Sequence, residues 1–233
     1  MNARRPAEQI VGRQCHSPFD GQLPGGNCGV IRSQPFVVLS PPALIERPVY
    51  ADIAGTAEKP SETTIRYPSR VAWRRPKEGL QWDGHIYVDE GGGFADDFNI
   101  PETETLKAEI PTSLGWLRNL DRKRWSLTIP YERKPGEYRP VFPDFLFFRQ
   151  EGDRVVIDIL DPHGAHLDDA VMKARGLAVY AEDHGHRFGR IELLDKIEGR
   201  LLRLDLKNKK VRDQVKAIAN NDGLVALYKA VGQ

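Results

Sequence analysis

Several things are scarce in this 233-residue chain. It has two cysteines, Cys15 and Cys28, so no disulfide framework can hold it together. Neither sign of charge dominates: 34 Lys+Arg stand against 33 Asp+Glu, a formal net charge of +1. That balance excludes a whole-molecule basic field, and any nucleic-acid contact must come from local patches. No apolar run approaches the roughly 18 residues of a membrane span. The opening MNARRPAEQI carries positive charge with no apolar stretch behind it, unlike a secretory signal. No G-x-x-x-x-G-K-[ST] occurs, which excludes P-loop ATP hydrolysis by these residues, and no internal repeat is visible. What is there is 40% hydrophobic and 29% charged, the composition of a globular chain with a real core, in one large or two small domains. A cytoplasmic location is expected.

The texture changes along the chain. Residues 1–34 contain the breaker-rich SPFDGQLPGGN and read as an extended leader. Within it Cys15, His16 and Cys28 amount to three zinc ligands, one short of a structural site, and the preferred reading is two free thiols. Residues 35–95 read as a small β-rich segment: FVVLS, TTIRY, RVAW and HIYVD have strand character and are separated by Pro- and Gly-rich connectors, with DEGGG a turn.

From residue 96 to 233 the pattern is mixed α/β. A helix is expected after Asn99, where Pro101 suits the first turn and Glu102 suits its positive end. A basic turn (Arg118, Arg122, Lys123, Arg124) then leads into strands WSLTIPY, VFPDFLFF and RVVIDIL, a three-strand meander. LDDAVMKARGLAVYAEDHG reads as the strongest helix, with Leu167, Val171, Ala174, Ala178 and Ala181 along one face. FGRIELL and LLRLDLK follow as strands, and one or two short helices close the chain. The expected order is αβββαββα.

Acidic residues fall at telling places in that order. Asp144 enters the second meander strand behind Pro143, and Asp161 leaves the third. Neighbouring strands can bring two such carboxylates together, the donor set a hard divalent cation needs. His163 shares a face with Asp161 if the strand continues through Pro162. Asp158 is the alternative second carboxylate, but strand parity puts it on the other face from Asp161.

Pro143-Asp144 and Asp161-Pro162-His163-Gly164 together resemble the signature of PD-(D/E)XK nucleases. The longer context of HIYVDEGGGFADDFN, ETLKAE, LGWLRN, IPY and VFPDFLFFR resembles the C-terminal nuclease-like region of type III restriction enzymes and related bacterial restriction-type helicases, over most of residues 85–195. The resemblance implies a restriction-endonuclease-like α/β core of helix, three-strand meander, helix and strand. It implies a Mg²⁺- or Mn²⁺-dependent deoxyribonuclease acting on DNA beside a superfamily-2 helicase motor. That motor would sit on another chain or on the missing part of a longer product. Asp144 and Asp161 would be metal ligands, with Glu102 or Glu109 as a further carboxylate. His163 stands where the family has lysine, and Lys173 could return that charge from the following helix; its plainer role is an i,i+4 pair with Asp169.

Other positions carry two readings each. Trp116, Arg118 and Asn119 form a W-L-R-N turn that either contacts DNA or packs as structure. Arg122, Lys123 and Arg124, beside Trp125, either bind phosphates or form a solvated turn. His166, His184 and His186 could suggest a metal, but His184 and His186 at a helix end are expected to face the negative pole of its dipole. A nuclease-like module that binds DNA without cutting it is the alternative to the enzyme.

Overall fold

A computed structural model describes residues 28–33, 67–74, 76 and 79–233. Cys15 and His16 of the zinc reading, the strand FVVLS and most of TTIRY lie outside them. Strands β1 (Cys28–Ser33), β2 (Arg70–Arg74) and β4 (Tyr87–Val88) form a three-stranded sheet with β1 in the centre. β3 (Leu80–Trp82) and β5 (Phe94–Asp96) make a two-stranded ribbon. The strand at 28–33 therefore belongs to the β-rich part, although it lies within the expected leader.

Helix α1 (Ile100–Glu109) begins with a capping box: the Asn99 side chain accepts from Glu102 N–H, and Glu102 Oε2 accepts from Asn99 N–H. Then come β6 (Gly115–Arg118), the hairpin β7 (Ile129–Lys134) and β8 (Glu137–Val141), β9 (Phe145–Glu151), β10 (Arg154–Pro162), α2 (Ala170–His184), β11 (Ile191–Ile197), β12 (Arg200–Asp205), α3 (Lys209–Ala217) and α4 (Asn221–Val231). One five-stranded sheet runs β12-β11-β10-β9-β6. β9 lies between β6 and β10 and is antiparallel to both, and β11 returns parallel to β10 after the α2 crossover. The molecule is thus mixed α+β.

The meander differs from expectation in its first strand. WSLTIPY does not enter the sheet; Gly115–Arg118 takes that place against β9. Three of these four residues are wholly enclosed, so no inside–outside alternation marks them as a strand. The Ile129–Lys134 strand instead pairs with Glu137–Val141, with Pro130 opposite Pro140. Two prolines that cannot donate to a ladder keep this pair out of a sheet centre. The hairpin lies against α2 where Gly176 meets Tyr131, and any Cβ at 176 would collide with the tyrosine Cβ.

Packing is continuous from the β-rich part into the sheet. Tyr87 and Phe94 are buried in the same core as Trp116, Phe145 and Phe147. Trp116 N–H donates to Gly84 O, and Ile86 N–H donates to Trp116 O, which places residues 84–86 along the outer side of β6. Among the described residues no helix is long and apolar enough to cross a membrane.

Candidate functional site

The C-terminal end of β10 and the start of β9 bring two aspartates together. Asp144 precedes β9 directly, and its backbone N–H donates to Asp161 Oδ1 at 3.1 Å. Asp161 is almost fully buried, and β10 does run on through Pro162, so His163 follows on the same side. Both carboxyl groups are held above the ordinary carboxylate range. Burial is the main cause, and the negative charges nearby, Asp161 and Glu102 for Asp144 and Glu102 for Asp161, add to it.

Arg118 stands across from them. Its guanidinium pairs with Glu102 Oε1 at 2.7 Å and with Asp144 Oδ1 at 3.0 Å, between the rings of Phe98 and Phe145. Asp96, at the end of β5, also acts on Arg118, and its own pKa is raised chiefly by burial. The backbone of Arg118 is fixed separately: its N–H donates to His85 Nε2 at 2.9 Å. His85 is buried flat against Phe94, with ring centroids 3.8 Å apart, and burial pushes its pKa down to about 3. Its Nδ1 lies 2.7 Å from Tyr87 O and 2.9 Å from Tyr87 N, so the Tyr87 backbone holds the other side of the ring.

The opposite flank is built by α2. Lys173 Nζ pairs with Asp169 Oδ2 at 2.8 Å, the expected i,i+4 contact, and its charge also lowers the pKa of Asp161. His163 lies 3.5 Å by Nε2 from Asp169 Oδ1, makes no hydrogen bond there, and is held below its ordinary pKa by burial and then by Lys173. It is therefore neutral near pH 7 and can accept a proton.

Other expected site residues fall elsewhere. Glu109, two turns along α1 from Glu102, pairs with Arg190 and Arg203 at the far end of the helix and is no partner of Asp144. Asp158 is fully buried between Arg149 and Arg190, which removes it as the second carboxylate. Glu102 reaches the site but commits one oxygen to Asn99 N–H and the other to Arg118, so its role there is to hold the arginine. Trp116 is fully buried and its indole N–H donates to Asp83 O. Asn119 is buried as well; its amide donates to Leu127 O and Pro143 O, and its backbone N–H donates to Asp144 O. Both residues pack as structure, although Trp116 lies in strand β6 and not in the expected turn, and Asn119 fixes the Pro143-Asp144 turn. Arg122, Lys123 and Arg124 are exposed on a turn in which Arg122 adopts φ 56°. His184 ends α2 and His186 lies in the short 3₁₀ turn after it, as a dipole partner would. Asp96 and His85 carried no signal in the sequence, since each gains its place through contacts remote in the chain, while Asp169 was legible as the i,i+4 partner of Lys173 but not as a neighbour of His163.

Among the described residues no group of three or more His, Cys, Asp or Glu side chains is arranged to hold a metal ion. Mg²⁺ asks for less, since it is commonly held by one or two carboxylates with waters and substrate phosphates completing an octahedron. Asp161, buried, and Asp144, half-buried and paired on one oxygen with Arg118, stand side by side and fit that donor set.

The YagJ family model matches residues 83–233. The chain belongs to the YagJ family. It is 34% identical over 185 residues to Protein YagJ of Escherichia coli strain K12, covering 75% of this chain and 76% of that protein. The family match spans α1 to α4 and includes every site residue named above, His85 among them. No solved structure matches the chain significantly.

Proposed function

We propose that this YagJ family member is a metal-dependent DNA phosphodiesterase of the PD-(D/E)XK type. The observation that carries the reading is the Asp144–Asp161 pair, joined backbone to side chain at the open end of a β6-β9-β10 meander followed by α2 and the parallel strand β11. That succession of helix, three antiparallel strands, helix and parallel strand is the restriction-endonuclease-like order, and it supports that finer description of the fold.

Asp144 and Asp161 are the residues that would hold Mg²⁺, and the ion when bound would polarise the scissile phosphate and the attacking water. The chain's own groups do the rest. Neutral His163 accepts the proton of the water whose oxygen bonds to phosphorus, while the bond from phosphorus to the departing 3′ oxygen breaks. Lys173 and Arg118 supply the fixed positive charge that His163 cannot. DNA is the substrate of this reading, and a helicase motor on another chain or on a further part of a longer product is its partner.

One observation favours the alternative, a nuclease-like module that binds DNA without cutting it: Arg118 already occupies Asp144 Oδ1, as a purely structural ion pair would. Cleavage of supercoiled plasmid and single-stranded DNA with Mg²⁺ or Mn²⁺ separates the two. The enzyme cuts, and Asp144→Ala and Asp161→Ala abolish cutting. An inactive wild type that also shows no metal binding by calorimetry leaves the silent module.

A further inference from the structure

The basic turn after β6 is fastened to the candidate site by one side chain. Asn119 donates through its amide to Leu127 O and Pro143 O, accepts from Leu127 N–H, and donates through its backbone N–H to Asp144 O at 2.9 Å. Both ends of residues 119–127 are thereby held against the Pro143-Asp144 turn. Inside it, Ser126 Oγ donates to Leu120 O and accepts from Lys123 N–H. Arg122 sits in the left-handed region at φ 56°, where residues other than glycine are uncommon. The turn presents charge outward: Arg122, Lys123 and Arg124 are all exposed. Asp121 offsets Arg122 at 3.6 Å, whereas the side chains of Lys123 and Arg124 have no partner among the described residues. Three of the cations on α3 are engaged, by contrast: Lys209 pairs with Asp213 at 2.6 Å, Lys216 with Glu182 at 2.8 Å, and Arg212 donates to the carbonyls of Leu206 and Lys207. Trp125 turns inward, its ring 6.0 Å from those of Tyr67 and Tyr87, so it anchors the turn.

Resting on DNA as the substrate of the proposed function, we infer that this turn is the backbone contact that seats DNA at Asp144 and Asp161, with Lys123 and Arg124 meeting phosphates next to the one to be cut. Successive phosphates of one strand lie about 3.4 Å apart along the duplex axis, so two free cations on a turn stapled to Asp144 reach the neighbours of a phosphate held there. Phosphate contacts position a strand and carry no sequence information. With the Trp125 ring packed inward the turn offers no stacking face either, so the contact acts by charge and is indifferent to base sequence.

The test is binding of the full chain to short labelled duplexes of unrelated sequence, read by fluorescence anisotropy over a range of salt, in EDTA and again with Ca²⁺, which takes the same oxygen ligands as Mg²⁺. Wild type is compared with Lys123→Ser plus Arg124→Ser, and with Lys209→Ser plus Lys210→Ser, which removes the same charge from α3. All four positions are exposed, so melting temperatures should not change. In the turn variant the slope of log affinity on log salt should become shallower by about 2, and affinity at physiological salt should fall roughly 10- to 30-fold on every duplex. In plasmid nicking with Mg²⁺ its KM should rise by that factor while kcat stays within about twofold. Exchanging the two cations, Lys123→Arg with Arg124→Lys, should restore binding. Wild-type affinity and slope in the turn variant, or an equal loss in the α3 variant, overturns the inference and leaves the proposed function to stand on cleavage. A chain that binds DNA through the turn and does not cut it keeps the inference and removes the enzyme. A wild type that binds no DNA in either buffer overturns both.

Discussion

Two acid–base clusters lie at opposite ends of α1 and on opposite faces of β10, and they are neutralised differently. At the far end, Glu109, Asp158 and Glu192 meet Arg149, Arg190 and Arg203, one guanidinium for each carboxylate. At the site end, Asp96, Glu102, Asp144 and Asp161 share Arg118, and Lys173 is already engaged by Asp169. The titration behaviour follows the count. Glu109, though burial opposes it, is held below its ordinary pKa by Arg190 and Arg203, whereas Asp144 and Asp161 are held above theirs. Glu192 is the exception at the far end, raised by its burial. Matched charges make a structural clasp; the surplus of carboxylates at the site end is what the proposed cation binding would relieve.

The largest effect should come from breaking the clasp. Arg190 binds both Glu109 and Asp158, so Arg190→Ala strands two buried carboxylates and should cost about 3 kcal/mol. Urea unfolding will read this as a lower midpoint with an unchanged slope. Mg²⁺ should sharpen the comparison from the other side, since on the proposed function it binds the site end alone. At ten times its Kd it should add about 1.4 kcal/mol to wild type and nothing to Asp144→Ala in thermal melts.

A smaller effect comes from relieving the surplus. Asp161→Asn keeps an oxygen for Asp144 N–H but removes a buried charge, and should raise stability by about 1 kcal/mol while abolishing cleavage. The pH dependence carries the same signature. A carboxyl whose folded pKa is raised contributes stability that is present below its ordinary value and is lost as pH rises through the raised one, toward neutrality. Glu109 acts in the opposite sense, with stability lost on acidification below the ordinary carboxylate range. His85, pushed down to about 3, likewise loses its contribution as pH falls below the ordinary histidine value. Urea midpoints taken against pH should therefore fall on approaching neutrality in wild type, and less steeply in Asp161→Asn.

Much of the core was legible because its signals are local. Pro101 and Glu102 in the first turn of α1, the alanine face of α2 and the alternation in β11 and β12 each mark an element without help from the rest of the chain. Val171, Ala174, Ala178 and Ala181 are buried as the helical period requires, while Leu167 lies before the helix and is 41% exposed. The turn between β11 and β12 has positive φ at both Glu198 and Gly199, the form that suits a tight hairpin. What could not be read is set by distance. β6 is too short and too enclosed to show a period, and the β7–β8 hairpin is excluded from the sheet by prolines whose effect depends on which strand they face. At the site, strand position and parity were enough to expect Asp144, Asp161 and His163 close together, as they are. Asp96 and His85 reach it through Arg118, a partner 22 and 33 positions away in number, and no spacing rule connects them.

Both outermost strands of the large sheet are partly closed by segments that are not strands of it. Residues 84–86 exchange two backbone hydrogen bonds with Trp116 on β6, and Gln233 exchanges two with Arg203 on β12. Each such contact uses up main-chain donors and acceptors that an incoming strand would need. Recruitment of another protein by adding a strand to this sheet is thereby disfavoured at both margins, and the same closures guard against edge-to-edge self-association. Removing Gln233 or residues 84–86 would uncover the main-chain groups of β12 and β6 that these contacts now use.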